Sequence, residues 1–427
     1  MENQYYYQRN KNTLDEIKST GVRINRDGFL LFFVALAPIL QHYRVIVFNP
    51  SLVIVSAFAV IAFFRLLSCR IIVNKSFLLL LAYGLYASFI HGVNFTYMLR
   101  EMSQLVVYLA VINGLFDIKK YLKYCRHIAI IATALIILQY ICFYIFGFHL
   151  QLVAIPLLNP SNEQWFGLVR TGMIGVTGTR LNFYRPSSFF LEPSHFAIFC
   201  TPVIVTTLFS RSGDEKRDLK IALFVSLGIL LSTSGMGIGV LVFCWGLYLT
   251  FFYGRKDEAR TIRLPKSFSA RSIFLVMAFL VVLAVLYLAV PFVRHSIQRI
   301  FFAVGASNYS AIEGRTVTGR KSLAMLTGIR KFIGFGDIYD ISDWNMATFF
   351  FVTFRFGWIG TVLFYAFYVY SAFKLKREAQ IMTILFLILS LFTVHMFGAY
   401  YKMYYTMIIL YGYVQLRQEK MSPQLLH

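Results

Sequence analysis

Charged residues, and acidic ones above all, are scarce in this chain. Only 14% of its 427 residues are charged, and 19 Asp and Glu stand against 41 Lys and Arg, for a net charge of +22. Average soluble domains carry about 25% charged residues. The composition therefore excludes an ordinary soluble protein.

Cysteine is also rare, and the positions of the five residues argue against a disulfide framework. Cys142, Cys200 and Cys244 lie inside long apolar segments, and Cys69 and Cys125 lie on the side that the charge pattern assigns below to the cytoplasm. No pair has the spacing of a zinc site. Structural disulfides are therefore not expected.

Motifs for metals and nucleotides are missing as well. The chain has no EF-hand, no nucleotide-binding glycine loop and no His-x-x-x-His pair. Asp337, Asp340 and Asp343 recur every third residue and would suit a cation, but acids that follow a basic helix are better interpreted as its counter-charges. We expect no metal and no cofactor.

Apolar residues are abundant in this chain. Hydrophobic residues make up 58% of the chain, including 44 Phe and 27 Tyr, and the mean hydropathy is +0.65. Long apolar runs recur, each near the roughly 20 residues that a helix needs to cross about 30 Å of hydrocarbon. The run 273–290 does not alternate, so a barrel is excluded. The sequence predicts an all-α polytopic membrane protein.

Twelve transmembrane spans are predicted within one domain without internal repeats. A polar N-terminal segment, 1–27, precedes the membrane domain, 28–416, and a short tail, 417–427, follows it. The N-terminal segment has no cleavage signature, so the first span is expected to act as a signal anchor. The spans are 28–43, 50–66, 76–93, 101–116, 127–149, 191–210, 219–232, 235–253, 273–290, 347–373, 380–397 and 401–416.

The distribution of Lys and Arg predicts the orientation. With the N-terminus inside, 27 of the 41 basic residues fall in cytoplasmic segments, and both termini face the cytoplasm. One of these segments, 117–127, is predicted to be an interfacial helix against anionic headgroups. Two large external loops, 150–190 and 291–346, hold ten basic residues against five acids. Nucleic acid is not expected as a partner outside a membrane.

The first external loop ends in the cluster with the clearest chemical meaning. Pro193 is a natural first-turn residue, so a helix is predicted to begin there with Glu192 at its positive end. His195 then lies three residues further along the same face, and Arg185 can fold back across Pro186 to meet both. A plain ion pair that ties the loop to the helix is the structural alternative, but charge near hydrocarbon tends to mark function.

Other residues of the two loops are candidates for ligand contacts. Trp165 and Tyr184 offer aromatic faces that suit the C–H faces of sugars, although interfacial belts have the same composition. In the second loop, a helix is predicted from Gly319 to Lys331 and a stop at Gly334–Gly336. Arg320, near the start of this helix, would bind phosphate oxygens through the N–H groups of its planar guanidinium. The supporting cations are Arg170, Arg180 and Arg315.

These residues resemble the Wzy-type O-antigen and capsular polysaccharide polymerases, in the superfamily that also holds the O-antigen ligases. The resemblance rests on Arg185–His195, on the turn Leu231–Gly235, and on Thr318-Gly319-Arg320 followed by Gly334–Gly336. Position 318 is Thr where the family often has Ser. The family has a Thr-x-Ser turn between two spans. Here the turn is Ser232-Thr233-Ser234, so a different hydroxyl would correspond to that of the family.

The resemblance implies a glycosyltransferase-C-like arrangement in the bacterial plasma membrane and glycosyl transfer at its outer face. The donor would be an undecaprenyl-diphosphate-linked glycan, the acceptor a lipid-linked repeat unit, and the reaction inverting and metal-independent. A chain-length regulator and a flippase would be its pathway partners. Without a metal, cations must stabilise the diphosphate leaving group, for which Arg185 and Arg320 are first choices. Glu192 or His195 would accept the acceptor proton.

Two other functions fit parts of the sequence. A ligase would share donor and membrane face but pass the chain to lipid A core, and it would use a His in the second loop, where only His295 qualifies. A transporter or lipid flippase would suit twelve spans and a basic outer vestibule. The polymerase is preferred because the halves do not repeat and the charged cluster lies at a loop boundary.

Overall fold

The residues that the structure describes form a bundle of α-helices with very little strand. The computed structural model describes residues 23–45, 48–69, 71–90, 94–152, 159–160, 176–177, 183–209, 215–252, 311–336, 346–393, 396 and 399–421, with single helical positions between 281 and 298. The helices are α1 Arg23–Leu40, α2 Pro50–Leu67, α3 Lys75–Ile90, α4 Phe95–Ile112, α5 Ile118–Tyr144, α6 Pro193–Phe209, α7 Glu215–Leu231, α8 Gly235–Leu247, α9 Ala311–Ala324, α10 Arg330–Ile333, α11 Thr348–Lys374, α12 Arg377–Phe392 and α13 Ala399–Met421.

Two pairs of very short antiparallel strands accompany the helices. The strands are β1 Tyr43–Arg44, β2 Asn159–Pro160, β3 Val176–Thr177 and β4 Phe183–Tyr184. β1 pairs with β2 so that Tyr43 faces Pro160, and β3 pairs with β4 so that Val176 faces Tyr184. At two residues each, they fasten parts of the first large loop and do not form a layer of the fold.

The helices confirm an all-α membrane protein. Within the described ranges, α2, α5 and α11 are long and apolar enough to cross a membrane, and shorter apolar helices such as α3 and α6 accompany them. A described helix coincides with every predicted span except 273–290, most of which lies outside the described residues.

Contacts between helix ends sort these ends into two groups. At one end of the bundle, the backbone N–H of Tyr400 donates to Oε1 of Gln41 at 3.3 Å. At the other, Nη1 of Arg126 donates to Oδ1 of Asp218 at 3.0 Å. The C-terminal end of α1 thus lies beside the N-terminal end of α13, and the N-terminal regions of α5 and α7 lie together. We call the first group the loop end, because it carries residues 183–192 and 311–336, and the second group the opposite end.

Two predictions about helix limits are wrong. Residues 117–127 are not a separate interfacial helix, because α5 runs without a break from Ile118 to Tyr144 and buries Tyr121 and Cys125. The helix of the second loop does not begin at Gly319, since α9 starts at Ala311, ends at Ala324, and is followed by the single turn α10. α13 extends as a helix beyond 416, the predicted limit of the last span, to Met421. The predicted stop at Gly334 is confirmed as the C-cap of α10.

α11 contains a kink that anchors the second loop. Gly357 adopts φ +65° inside the helix, which frees carbonyl groups from the helical pattern. The backbone N–H of Phe335 donates to the carbonyl of Phe354 at 3.0 Å, and the N–H of Gly336 donates to that of Arg355 at 2.8 Å. The Gly-x-Gly segment of the second loop is therefore hydrogen-bonded to the kink.

Replacing Gly357 with alanine is expected to lower the free energy of unfolding by about 2 kcal/mol or more. A Cβ at Gly357 would lie 2.1 Å from the carbonyl oxygen of Phe332, in a backbone conformation that L-residues avoid. Thermal melting in detergent measures the loss. Gly239→Ala is the matched control on α8, where a Cβ meets nothing within 4 Å. If both variants melt like the wild type, the kink does not hold the second loop.

Candidate functional site

Glu192 lies at the entry of α6, where the sequence places it. α6 begins at Pro193, and the N–H of His195 donates to the Glu192 carbonyl at 3.0 Å, which closes the first turn. The hydroxyl of Ser194 donates to Oε2 of Glu192 at 2.8 Å. The carboxylate is thus held beside the N-terminal end of a helix.

The residues before Glu192 form a turn fixed from two sides. Ser188 is buried with φ +57°, which is uncommon for a residue other than glycine. Its N–H donates to Oε1 of Gln139 on α5 at 2.8 Å, and Nε2 of Gln139 donates to the Leu150 carbonyl at 3.0 Å. On the other side, the hydroxyl of Tyr43 donates to the Phe189 carbonyl at 3.3 Å. Backbone in a rare conformation that several hydrogen bonds hold in place is common at functional sites.

Arg185 and Glu192 stand at the two ends of this turn and differ from His195 in exposure. Both are half-buried, whereas His195 has no exposed surface. A ligand at the loop end can therefore reach Arg185 and Glu192 in this structure but cannot reach His195. Of the two predicted proton acceptors, Glu192 is the accessible one.

His195 instead packs against a residue that the sequence did not single out. Its imidazole stacks on that of His42, just past the end of α1, with ring centroids 4.0 Å apart and planes 9° from parallel. The hydroxyl of Tyr401 on α13 donates to the His195 carbonyl at 3.2 Å. The first, sixth and last described helical segments thus meet behind the Glu192 turn.

Tyr184 is enclosed by the protein. Its ring stacks on Phe143 at 4.6 Å and meets the edge of His149 at 4.8 Å, and only 2% of its surface is exposed. Burial raises the pKa of the Tyr184 phenol, and its hydroxyl donates to the Leu150 carbonyl at 3.4 Å. A sugar would contact this ring only after its neighbours moved, so its substrate role stays a prediction.

The second loop carries Arg315 and Arg320 on one helix, α9, in different surroundings. A Cβ at Gly319 would lie 2.3 Å from the Phe350 ring, so glycine at this position lets α9 pack closely on α11. The next residue, Arg320, is exposed. Arg315 donates from Nη1 to the Phe392 carbonyl at 2.6 Å and so caps the end of α12. Arg320 therefore presents its cation to solvent, and Arg315 is tied to the scaffold.

A buried ion pair lies deeper in the bundle and was missed by the sequence analysis. Nζ of Lys402 on α13 lies 2.9 Å from Oε1 and 2.8 Å from Oε2 of Glu101 on α4. Both side chains are 5% exposed, and Nε of Arg100 lies 4.0 Å from Oε1 of Glu101. Tyr83 contributes its ring, 5.4 Å from the ammonium. An acid and a base inside apolar segments were the available signal, because such charges are costly in lipid.

Several predicted residues lie outside the described ranges. These are Trp165, Arg170, Arg180, His295 and the acids Asp337, Asp340 and Asp343. Comparison of the chain with protein-family models, with curated proteins and with solved structures finds no match.

Proposed function

We propose that this protein is a twelve-span polysaccharide polymerase of the Wzy type. It would act at the outer face of the bacterial plasma membrane, with both termini in the cytoplasm and a chain-length regulator and a flippase as pathway partners. The observation that carries the proposal is the rigid turn with half-buried Arg185 and Glu192 at one end of a membrane bundle. A cation and a carboxylate at such a boundary suit transfer from a lipid-linked diphosphate.

In the proposed reaction, Glu192 accepts the proton of an acceptor hydroxyl. The oxygen attacks the anomeric carbon of the donor chain, and the bond from that carbon to the diphosphate oxygen breaks. The leaving polyprenyl diphosphate keeps the electron pair, and the guanidinium groups of Arg185 and Arg320 stabilise its charge. Attack from the side opposite the leaving group inverts the anomeric carbon.

His195 has a positioning role in this proposal. Because it is fully buried and stacked on His42, it fixes the first turn of α6 and hence the backbone that carries Glu192. This assignment replaces the alternative in which His195 accepts the proton.

A transporter is the second candidate, and one observation favours it. The Glu101–Lys402 pair is buried inside the bundle, about 9 Å along α4 from its first residue, and intramembrane charges often mark substrate or proton paths. The polymerase is preferred because the pair is closed by two short contacts and leaves no charge of its own for a ligand.

The test is an assay with purified protein in detergent and the undecaprenyl-diphosphate-linked repeat unit as sole substrate. We expect a ladder of lengthened products that persists with a chelator. Arg185→Ala and Arg320→Ala should each reduce it about a hundredfold or more. Arg44→Ala, which removes an exposed cation at the same end, is the control and should leave the ladder intact.

Two outcomes would overturn the polymerase. If product appears only when a lipid A core acceptor is added, the protein is a ligase. If neither acceptor yields product while proteoliposomes translocate the lipid-linked unit, the protein is a transporter.

A further inference from the structure

A second site lies at the opposite end of the bundle. A cavity of about 220 Å³ opens between the short turn from α11 to α12 and the last turns of α13. α13 begins at the loop end, where Tyr400 contacts Gln41, so its last turns, and the cavity that they line, lie at the opposite end. Apart from Leu416, the cavity is lined by charged residues, glutamines and one glycine: Lys376, Arg377, Glu378, Gly412, Gln415 and Gln418.

The lining is rich in hydrogen-bond donors and carries an excess of positive charge. Lys376 and Arg377 contribute two cations, and the amides of Gln415 and Gln418 add further N–H groups. The single acid, Glu378, accepts a hydrogen bond from Nε2 of Gln415 at 3.4 Å. This set suits an anion with several acceptor oxygens, as a phosphate group has.

The backbone holds this arrangement in an unusual geometry. Arg377 has φ +49°, a left-handed conformation that non-glycine residues seldom adopt. On the facing wall, Gly412 lets α13 approach α12 so closely that a Cβ there would lie 2.4 Å from the Cβ of Ala379. A short turn with a strained arginine, packed against a glycine, fixes the cationic wall of the cavity.

The surroundings indicate an amphiphile. α11 carries an exposed apolar stripe down to its last turn, where Phe373 is 85%, Val369 45% and Val362 65% exposed, on the side of the helix away from Ser371, which contacts Tyr413 of α13. In a membrane protein, such a stripe faces acyl chains. Basic residues where an apolar stripe ends lie at the level of the lipid headgroups.

We infer that this cavity, at the level of the headgroups, binds the phosphate of an anionic phospholipid. Lys376 and Arg377 contact the phosphate oxygens, and the glutamine amides complete the donor set. The inference is independent of the proposed polymerase activity.

The experiment measures lipid binding to the purified full chain by native mass spectrometry and by the shift in melting temperature. Phosphatidylglycerol is compared with phosphatidylcholine and with inorganic phosphate. We expect phosphatidylglycerol to bind and stabilise the wild type. The double variant Lys376→Gln/Arg377→Gln should bind it at least about tenfold more weakly, because each basic residue near the surface contributes a severalfold gain in affinity.

Two further variants make the result specific. Lys119→Gln/Lys216→Gln removes two exposed charges from the same end and should bind like the wild type. Glu378→Gln removes the one acid and should bind more tightly, a gain that a misfolded variant would not give. Equal losses in both double variants, or no gain with Glu378→Gln, would overturn the site. Equal stabilisation by inorganic phosphate would overturn the lipid assignment.

Discussion

Glu192→Gln is expected to reduce the polymerisation rate by about a hundredfold or more while leaving the protein folded. Glutamine has nearly the same shape, and its amide oxygen can still accept the hydrogen bond that Ser194 gives to Oε2 of Glu192. What the substitution removes is the negative charge that would take the proton from the acceptor. The measurement is the initial rate of ladder formation at saturating repeat unit, with melting temperature as the check on folding.

Ser194→Ala tests the hydrogen bond to Glu192 without removing the proposed base. It deletes the 2.8 Å hydrogen bond but keeps the carboxylate, so we expect the rate to fall less than about tenfold. A Glu192→Gln protein that polymerises at the wild-type rate would show that another group accepts the proton, even if the polymerase activity itself is established.

The parts of the fold that were predictable depend on residues close together in the chain. Pro193 fixes the start of α6 because its ring suits the first helical turn and little else. The turn at Ser232–Ser234 was predictable for a similar reason, and the hydroxyl of Ser234 caps α8 by accepting from the N–H of Gly237 at 3.3 Å. Apolar length alone located most of the helices.

The parts that were missed depend on residues far apart in the chain. The pairing of His42 with His195 and that of Glu101 with Lys402 join segments more than a hundred residues apart, and no local pattern encodes such a contact. The sequence predicts Gly319 as the start of a helix. In the structure it lies within α9, where the Phe350 ring leaves no room for a side chain.

Lys402→Met alone is expected to lower the free energy of unfolding by about 3 to 5 kcal/mol. The substitution leaves the Glu101 carboxylate 5% exposed and without the ammonium that contacts both of its oxygens. Unfolding in mixed micelles measures the loss. Lys75→Met, at the first residue of α3 and exposed, is the control and should change the free energy by less than about 0.5 kcal/mol.

Glu101→Met combined with Lys402→Met should recover most of that loss, because replacing a buried ion pair with apolar side chains of similar length removes both desolvation costs. Recovery should stay incomplete, because Arg100 loses the carboxylate that lies 4.0 Å from its Nε. The Arg100 side chain is 28% exposed, so water replaces part of that interaction. If the double variant is as unstable as the sum of the single variants, the two residues are not coupled as the 2.8 Å contact requires. If it is stable and still polymerises, the pair holds α4 and α13 together and takes no part in the reaction. A stable double variant that has lost lipid translocation would instead favour the transporter.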